Sequence, residues 1–282
     1  MIRRFWLRLS QDRVALLCLC AVVVILGAGV LAPWLAPNDP LLVSWRDKYH
    51  PISGHFPLGA DHLGRCVLSR LLFGIRTTVF VSLAAMVATL TLGMLIGVLA
   101  GYFRGRVDSV LMRFSDVMLS FPGEVMIFAL VGILGPGLTN IVLAILLVKW
   151  AWYARMIRGI VMQYSDKHYI HYARLIGCPS HHIIMRHVLP VTFAEIVVLA
   201  TTDSGAVILL LSALSFLGLG VQPPTPEWGA MLGEAKNVML THPEQMLPAG
   251  IAIVVMVASF NYLGDFLRDV LDVQNIGDAS QP

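Results

Sequence analysis

The sequence predicts an all-α membrane protein of about six transmembrane helices. Composition is the first ground: hydrophobic residues make up 57% of the 282 positions and charged residues 13%, against roughly 45–50% and about 25% in a soluble domain. Mean hydropathy is +0.76. Run length is the second: a hydrocarbon core about 30 Å thick takes roughly 20 helical residues to cross. Residues 14–36, 77–101, 115–134, 139–156, 191–217 and 246–267 form apolar runs of about that length. They consume most of residues 14–272, so no separate soluble domain is expected.

Residues 1–13 read as a cytoplasmic N-terminal segment, with an interfacial helix over 5–13. The first span follows Arg3, Arg4, Arg8 and Arg13 as a signal peptide would, but its apolar run is longer than an h-region. The Ala-Pro-Trp-Leu-Ala-Pro stretch at 32–37 is also a poor cleavage site. A retained anchor is therefore expected. Residues 38–76 form an external lobe before the second span, and 218–245 a second external loop in which Trp228 suits an interfacial anchor. Lys and Arg set the orientation. The N-terminus, the loop with Arg104, Arg106 and Arg113, and the stretch with Arg155, Arg158, Lys167, Arg174 and Arg186 share one side, so both chain ends and loop 165–190 are placed in the cytoplasm. Arg46, Lys48, Arg65, Arg70 and Arg76 argue against this from the outer lobe, partly offset by Asp39, Asp47 and Asp61. The tail 273–282 is expected to be cytoplasmic.

Loop 165–190 is polar and basic between two apolar runs. Ser165 is a plausible N-cap, a helix runs through Tyr172 and Leu175, and Gly177 can close it in the left-handed conformation. Pro179 suits the first turn of a second short helix with an apolar stripe of Ile183, Ile184 and Val188, which Leu189 and Pro190 would end. Two readings of the loop stand: a knob that fits another protein's groove, or an amphipathic segment resting on headgroups.

At this point the sequence resembles the permeases of ABC importers. Gly177 followed by Val188-Leu189-Pro190 is similar to the cytoplasmic EAA loop of that family. Within the family, the chain resembles the second-subunit permeases of dipeptide, oligopeptide and nickel systems. The motifs are the run from Leu58 to Arg65 with Leu68-Ser69-Arg70, the run from Asp116 to Pro122, Ser215 to Gly220, and Pro224 to Gly229. The resemblance implies a type I importer permease fold, a homologous second permease, an extracytoplasmic substrate-binding protein, and two ATPase subunits that bind ATP and magnesium. No Gly-rich phosphate loop occurs here, so this chain is expected to be a transport subunit in a bacterial inner membrane, with no enzymatic activity and no cofactor. No nucleic-acid partner is expected. His171, Tyr172, Ala173, Gly177, Ile183, Ile184, Val188, Leu189 and Pro190 would form the ATPase-coupling loop. Where the family usually has Glu-Ala-Ala, this chain has His171-Tyr172-Ala173. Cys66 stands where an Asp is common.

The run Trp150-Ala151-Trp152-Tyr153-Ala154-Arg155 resembles the nickel and opine-metallophore branch, which implies import of nickel or another transition metal, free or chelated. A dipeptide or oligopeptide substrate is the alternative. Asp203 and Glu124 are candidates for the translocation path, because ionisable residues in spans are costly unless they serve a purpose. For Asp203 a hydrogen bond to a neighbouring helix is an equal alternative, and Glu124 follows a Pro-Gly break. Imidazole favours borderline metals, yet His168, His171, His181, His182 and His187 also read as solvated or interfacial residues. His50, His55, His62 and His242 belong to the outer side. Cys18, Cys20, Cys66 and Cys178 show no metal-ligand spacing. A stand-alone ion-coupled transporter is the reading from another class, although no internal repeat supports it.

Overall fold

The computed structural model describes residues 2–272, with the side chains of 2–6 and 272 left aside; the expected tail 273–282 lies outside the described residues. Among the described residues, the regular elements are helices α1 Ile2–Gln11, α2 Arg13–Val30, α3 Ala32–Leu35, α4 Val67–Ile75, α5 Val81–Phe103, α6 Gly105–Leu119, α7 Gly123–Leu134, α8 Leu138–Ser165, α9 His168–Leu175, α10 Ser180–Ile183, α11 Leu189–Phe216, α12 Trp228–Lys236 and α13 Leu247–Asp272.

Among the described residues, five helical stretches are long and apolar enough to cross a membrane: Arg13–Val30, Val67–Phe103, Leu138–Ser165, Ser180–Phe216 and Pro243–Leu271. A sixth crossing would have to come from α6 and α7 together, which bend by 77°. The span expected over 115–134 is thus bent, at the Pro-Gly break that the sequence marks. Pro122 has no N–H and drives the preceding Phe121 out of the helical region, so the helix stops at Leu119 and restarts at Gly123.

Two other boundaries move for a related reason. A π turn at Arg76–Phe80 joins α4 to α5, so the second crossing begins at Val67, inside the stretch expected to be external lobe. A second π turn at Ile184–Val188 joins α10 to α11, and helix continues through Leu189 and Pro190, which were expected to end it. A π turn shifts the pairing by one residue, as the Leu189 N–H bonding to the Ile184 carbonyl shows. The helix thereby admits a proline without ending.

The chain groups into two units. The first comprises Met1–Ala84, Leu130–Val142 and Thr202–Leu263. Its core collects Val22, Val67, Ile75, Val79, Ile208, Ile253, Met256 and Phe260 around Trp228. Trp228 is 1% exposed, and its indole N–H donates to the Leu71 carbonyl at 2.9 Å. This corrects its expected role as an interfacial anchor. Gly74 makes the room, because a Cβ there would lie 2.8 Å from Trp228 Cδ1. Arg76 donates to the Gly29 carbonyl at 2.8 Å and the Val30 carbonyl at 2.9 Å, satisfying acceptors that the end of α2 leaves open.

The second unit comprises Ala85–Ala129, Leu143–Thr201 and the described residues from Gly264 on. Its main seam sets α5 against α8. A Cβ on Gly93 would lie 2.4 Å from Tyr153 Cβ, one on Gly97 2.6 Å from the Ala154 carbonyl oxygen, and one on Gly101 2.9 Å from the Arg158 carbonyl oxygen. Glycines spaced by four share one helix face and let two backbones meet closely, which is how helices gain packing in lipid.

Candidate coupling loop and translocation residues

The loop expected to couple to a partner belongs to the second unit. Its first helix starts after Lys167, not at Ser165, which is the last residue of α8. Gly177 has φ +81°. Its N–H bonds to the Arg174 carbonyl at 3.1 Å and that of Cys178 to the Ala173 carbonyl at 3.0 Å. These are the two bonds of a Schellman stop, which needs a left-handed residue at this point. Pro179 caps α10 from outside, immediately before Ser180.

The residues named from sequence divide into two groups by burial. Ala173, Ile183 and Val188 are buried and pack with Val98, Tyr102, Tyr153, Ile157, Val161, Ile170 and Ile196, with Ile184 and Leu189 half-buried against them. The stripe therefore fastens the loop to α5, α8 and α11 and is not free to meet a partner. His171, Tyr172, Gly177 and Pro190 are exposed. The outward apolar surface consists largely of residues the sequence did not single out: Leu175 at 82% exposure, Ile176 at 74% and Met185 at 67%, beside Tyr172 at 71%.

Polar contacts brace this unit. The Arg158 guanidinium pairs with Asp108 through both oxygens, and Arg155 pairs with Asp116. Tyr164 donates to Glu195 Oε1 at 2.6 Å, joining α8 to α11. Arg104 holds φ +53° between α5 and α6 and donates to Asp166 at 2.7 Å and the Met162 carbonyl at 3.2 Å. That hydrogen bond, with the Arg104 charge, keeps the Asp166 carboxyl below the ordinary range. The Arg174 guanidinium lies 4.6 Å from the Tyr102 ring centroid. From Lys167 to Pro190 the loop carries Arg174, Arg186 and Lys167 but no carboxylate.

The two path candidates belong to different units. Asp203 is half-buried on α11 in the first unit, and Glu124 is exposed in the first turn of α7 in the second.

The first unit also holds a buried charge cluster that the sequence motifs touched without revealing. Arg65 Nε donates to Asp61 Oδ2 at 2.6 Å and its Nη2 to Glu234 Oε2 at 2.6 Å, while Arg70 Nη2 reaches the same Glu234 oxygen at 3.2 Å. Both guanidinium side chains are at most 2% exposed. Asp61, His62 and Glu234 place possible ligand atoms within 4.8 Å of one another. The two arginines already neutralise both carboxylates, so the group is a structural hub and a poor cation site. Glu227 caps α12, accepting from the N–H of Gly229 at 3.0 Å, the N–H of Ala230 at 2.7 Å and the Thr78 hydroxyl at 2.9 Å. Burial pushes its carboxyl above the usual carboxylate range, against the pull of those bonds. Of the outer histidines, His242 stacks on Tyr49 with centroids 3.9 Å apart and contacts Glu244 at 3.0 Å, and His50 Nδ1 lies 2.9 Å from the Pro51 carbonyl. Cys66 is buried at the start of α4.

Long apolar helices joined at a glycine seam define a helical membrane protein. Residues 93–274 match the family described as binding-protein-dependent transport system inner membrane component, and residues 1–51 match the N-terminal TM domain of oligopeptide transport permease C. The chain belongs to this family of ABC importer permeases, in agreement with the resemblance read from its motifs. It is 42% identical over 265 residues to the metal-staphylopine import system permease protein of Staphylococcus aureus, covering 94% of this chain and 92% of that one. Identity to the nickel transport system permease protein of Escherichia coli is 38% over 269 residues, covering 95% and 94%. Identity to the glutathione transport system permease protein of Pectobacterium atrosepticum is also 38%, over 272 residues, covering 96% and 90%. The fold is that of type I importer permeases: an inward-facing structure of the MetNI methionine ABC transporter superposes with a TM-score of 0.58 at 17% identity, covering 72% of this chain and 97% of that one. Family membership displaces the stand-alone ion-coupled reading.

Proposed function

We propose that this chain is the permease subunit of an ATP-driven importer for nickel or another transition metal, free or chelated by a metallophore. The observation that carries the metal reading is the near full-length identity to two relatives named for metal-staphylopine and nickel transport. The run from Trp150 to Arg155, which resembles the nickel and opine-metallophore branch, agrees with it. Peptide import is the second reading, favoured by the glutathione relative at 38% identity.

In this reading a homologous second permease completes the path, a binding protein delivers substrate from outside, and two ATPase subunits act inside, where ATP is hydrolysed. Both termini and loop 165–190 face the cytoplasm, as the Lys and Arg distribution supports. Tyr172, Leu175, Ile176 and Met185 meet the ATPase, and the buried Ala173, Ile183 and Val188 carry its motion into α5, α8 and α11. Asp203 and Glu124 line the path. The test is ATP-dependent uptake into vesicles containing this chain, its partner permease, ATPases and binding protein. Radioactive nickel is supplied with and without a chelator, and its uptake is compared with that of a labelled dipeptide. Nickel uptake in either form supports the metal reading. Dipeptide uptake without a metal signal overturns it in favour of the second.

A further inference from the structure

The π turn at Ile184–Val188 has an effect beyond admitting Pro190. Residues five apart diverge by about 140° around an α-helix of 3.6 residues per turn, whereas i→i+5 pairing widens the turn and brings them toward one face. His182 and His187 are five apart across this turn, and their ring centroids are 6.0 Å apart with an interplanar angle of 67°. Two imidazoles bound to one metal at about 2.0–2.1 Å hold their centroids roughly 4.5–6.4 Å apart over the range of common ligand angles. The observed spacing is near the wide end of that range, so the side chains must turn toward each other to aim one nitrogen of each at a shared point. His182 is exposed and His187 half-buried, with the Tyr169 ring 6.3 Å from the His187 ring on another side.

We propose that His182 and His187 form a two-imidazole site for a divalent transition metal, through which metal on that side of the membrane restrains the coupling loop. The donor set selects the metal class. The one carboxylate of loop 165–190, Asp166, is engaged by Arg104 at 2.7 Å, so the loop offers magnesium or calcium no carboxylate cluster, whereas imidazole suits nickel, copper and zinc. A metal bridging the two rings ties α10 to the π turn and so fixes the turn at the root of α11. Neither ring belongs to the buried anchor, so both can be removed without opening the core. The site rests on the proposed metal-import reading only for the argument that this loop meets imported metal.

The test uses the assembled complex purified without a polyhistidine tag, titrated calorimetrically with nickel chloride in a magnesium-containing buffer. We expect binding that is weakened roughly tenfold or more in His182→Ala, His182→Gln and His187→Ala and unchanged in His181→Ala, whose ring is also exposed. No binding by the wild type, or equal binding by the wild type and the His182 and His187 variants, overturns the site. ATP turnover should fall when nickel is added to the wild type and hold steady in His182→Ala. Turnover indifferent to bound nickel overturns the restraint. Binding needs no transport, so nickel uptake by the vesicle assay with no binding here sinks this site alone, and binding without nickel uptake sinks only the import reading.

Discussion

Gly97 faces Ala154 so closely that a Cβ on the glycine would lie 2.6 Å from the alanine's carbonyl oxygen. Backbone cannot yield as a flexible side chain can, so Gly97→Val should force α5 away from α8. The expected cost is about 1–3 kcal/mol, typical of overpacking, read as a lower thermal midpoint of the detergent-purified protein. Gly159→Ala on α8, where a Cβ meets nothing within 4 Å, should leave the midpoint unchanged or slightly raised.

Gly177 presents the opposite case. Nothing lies within 4 Å of a Cβ there, but φ is +81°, so any cost comes from the backbone conformation, about 1–2 kcal/mol for an L-residue. Gly177→Val should reduce uptake while membrane abundance is maintained, and Gly177→Asn, which tolerates the left-handed region, should retain most of it. Equal uptake in both would show that the stop at α9 does not matter for transport.

The buried hub of Arg65, Arg70, Asp61 and Glu234 should respond steeply to loss of one partner. Glu234→Gln leaves two guanidinium groups short of a counter-charge, and breaking such a pair costs about 3–5 kcal/mol. A double-mutant cycle of Arg65→Met with Glu234→Leu, followed by thermal unfolding, should show strong coupling. Additive losses would mean that the pair is spectator to stability.

Glu227 has a carboxyl held above its ordinary range by burial. The native state therefore keeps its proton at pH values where the unfolded chain has released it, so stability falls as pH rises from the unfolded value through the folded one. Glu227→Gln should flatten that slope in a pH series of unfolding midpoints. An unchanged slope would assign it to another group.

Asp203→Asn should slow uptake without loss of assembly if the acid lines the path. Full uptake in the assembled variant would leave Asp203 with a packing role alone.

Run length and composition made the helical membrane fold legible, and Gly177 announced its own conformation. What stayed hidden has a common cause. A π turn leaves no mark in apolar periodicity, so the helix running through Pro190 read as a stop. Burial is decided by tertiary partners, so the apolar stripe Ile183 and Val188 read as an outer face and Trp228 as an interfacial residue. The hub links Asp61 and Arg65 to a residue 169 positions on from Arg65, a distance no local pattern encodes. Gly93, Gly97 and Gly101 carry a signal in their spacing of four that the sequence reading passed over.

The loop from Lys167 to Pro190 carries basic residues and no carboxylate, while its exposed tip offers Leu175 and Ile176. These two properties act at different stages of an encounter. Charge would draw in a partner of opposite sign from a distance, an effect that fades with ionic strength over a Debye length of about 8–10 Å. Apolar contact acts only after arrival and gains nothing from dilution. Raising salt should therefore slow the association of the ATPase with this subunit far more than it hastens departure. The subunit would be quick to assemble in dilute buffer and slow, though still tenacious once joined, in concentrated salt.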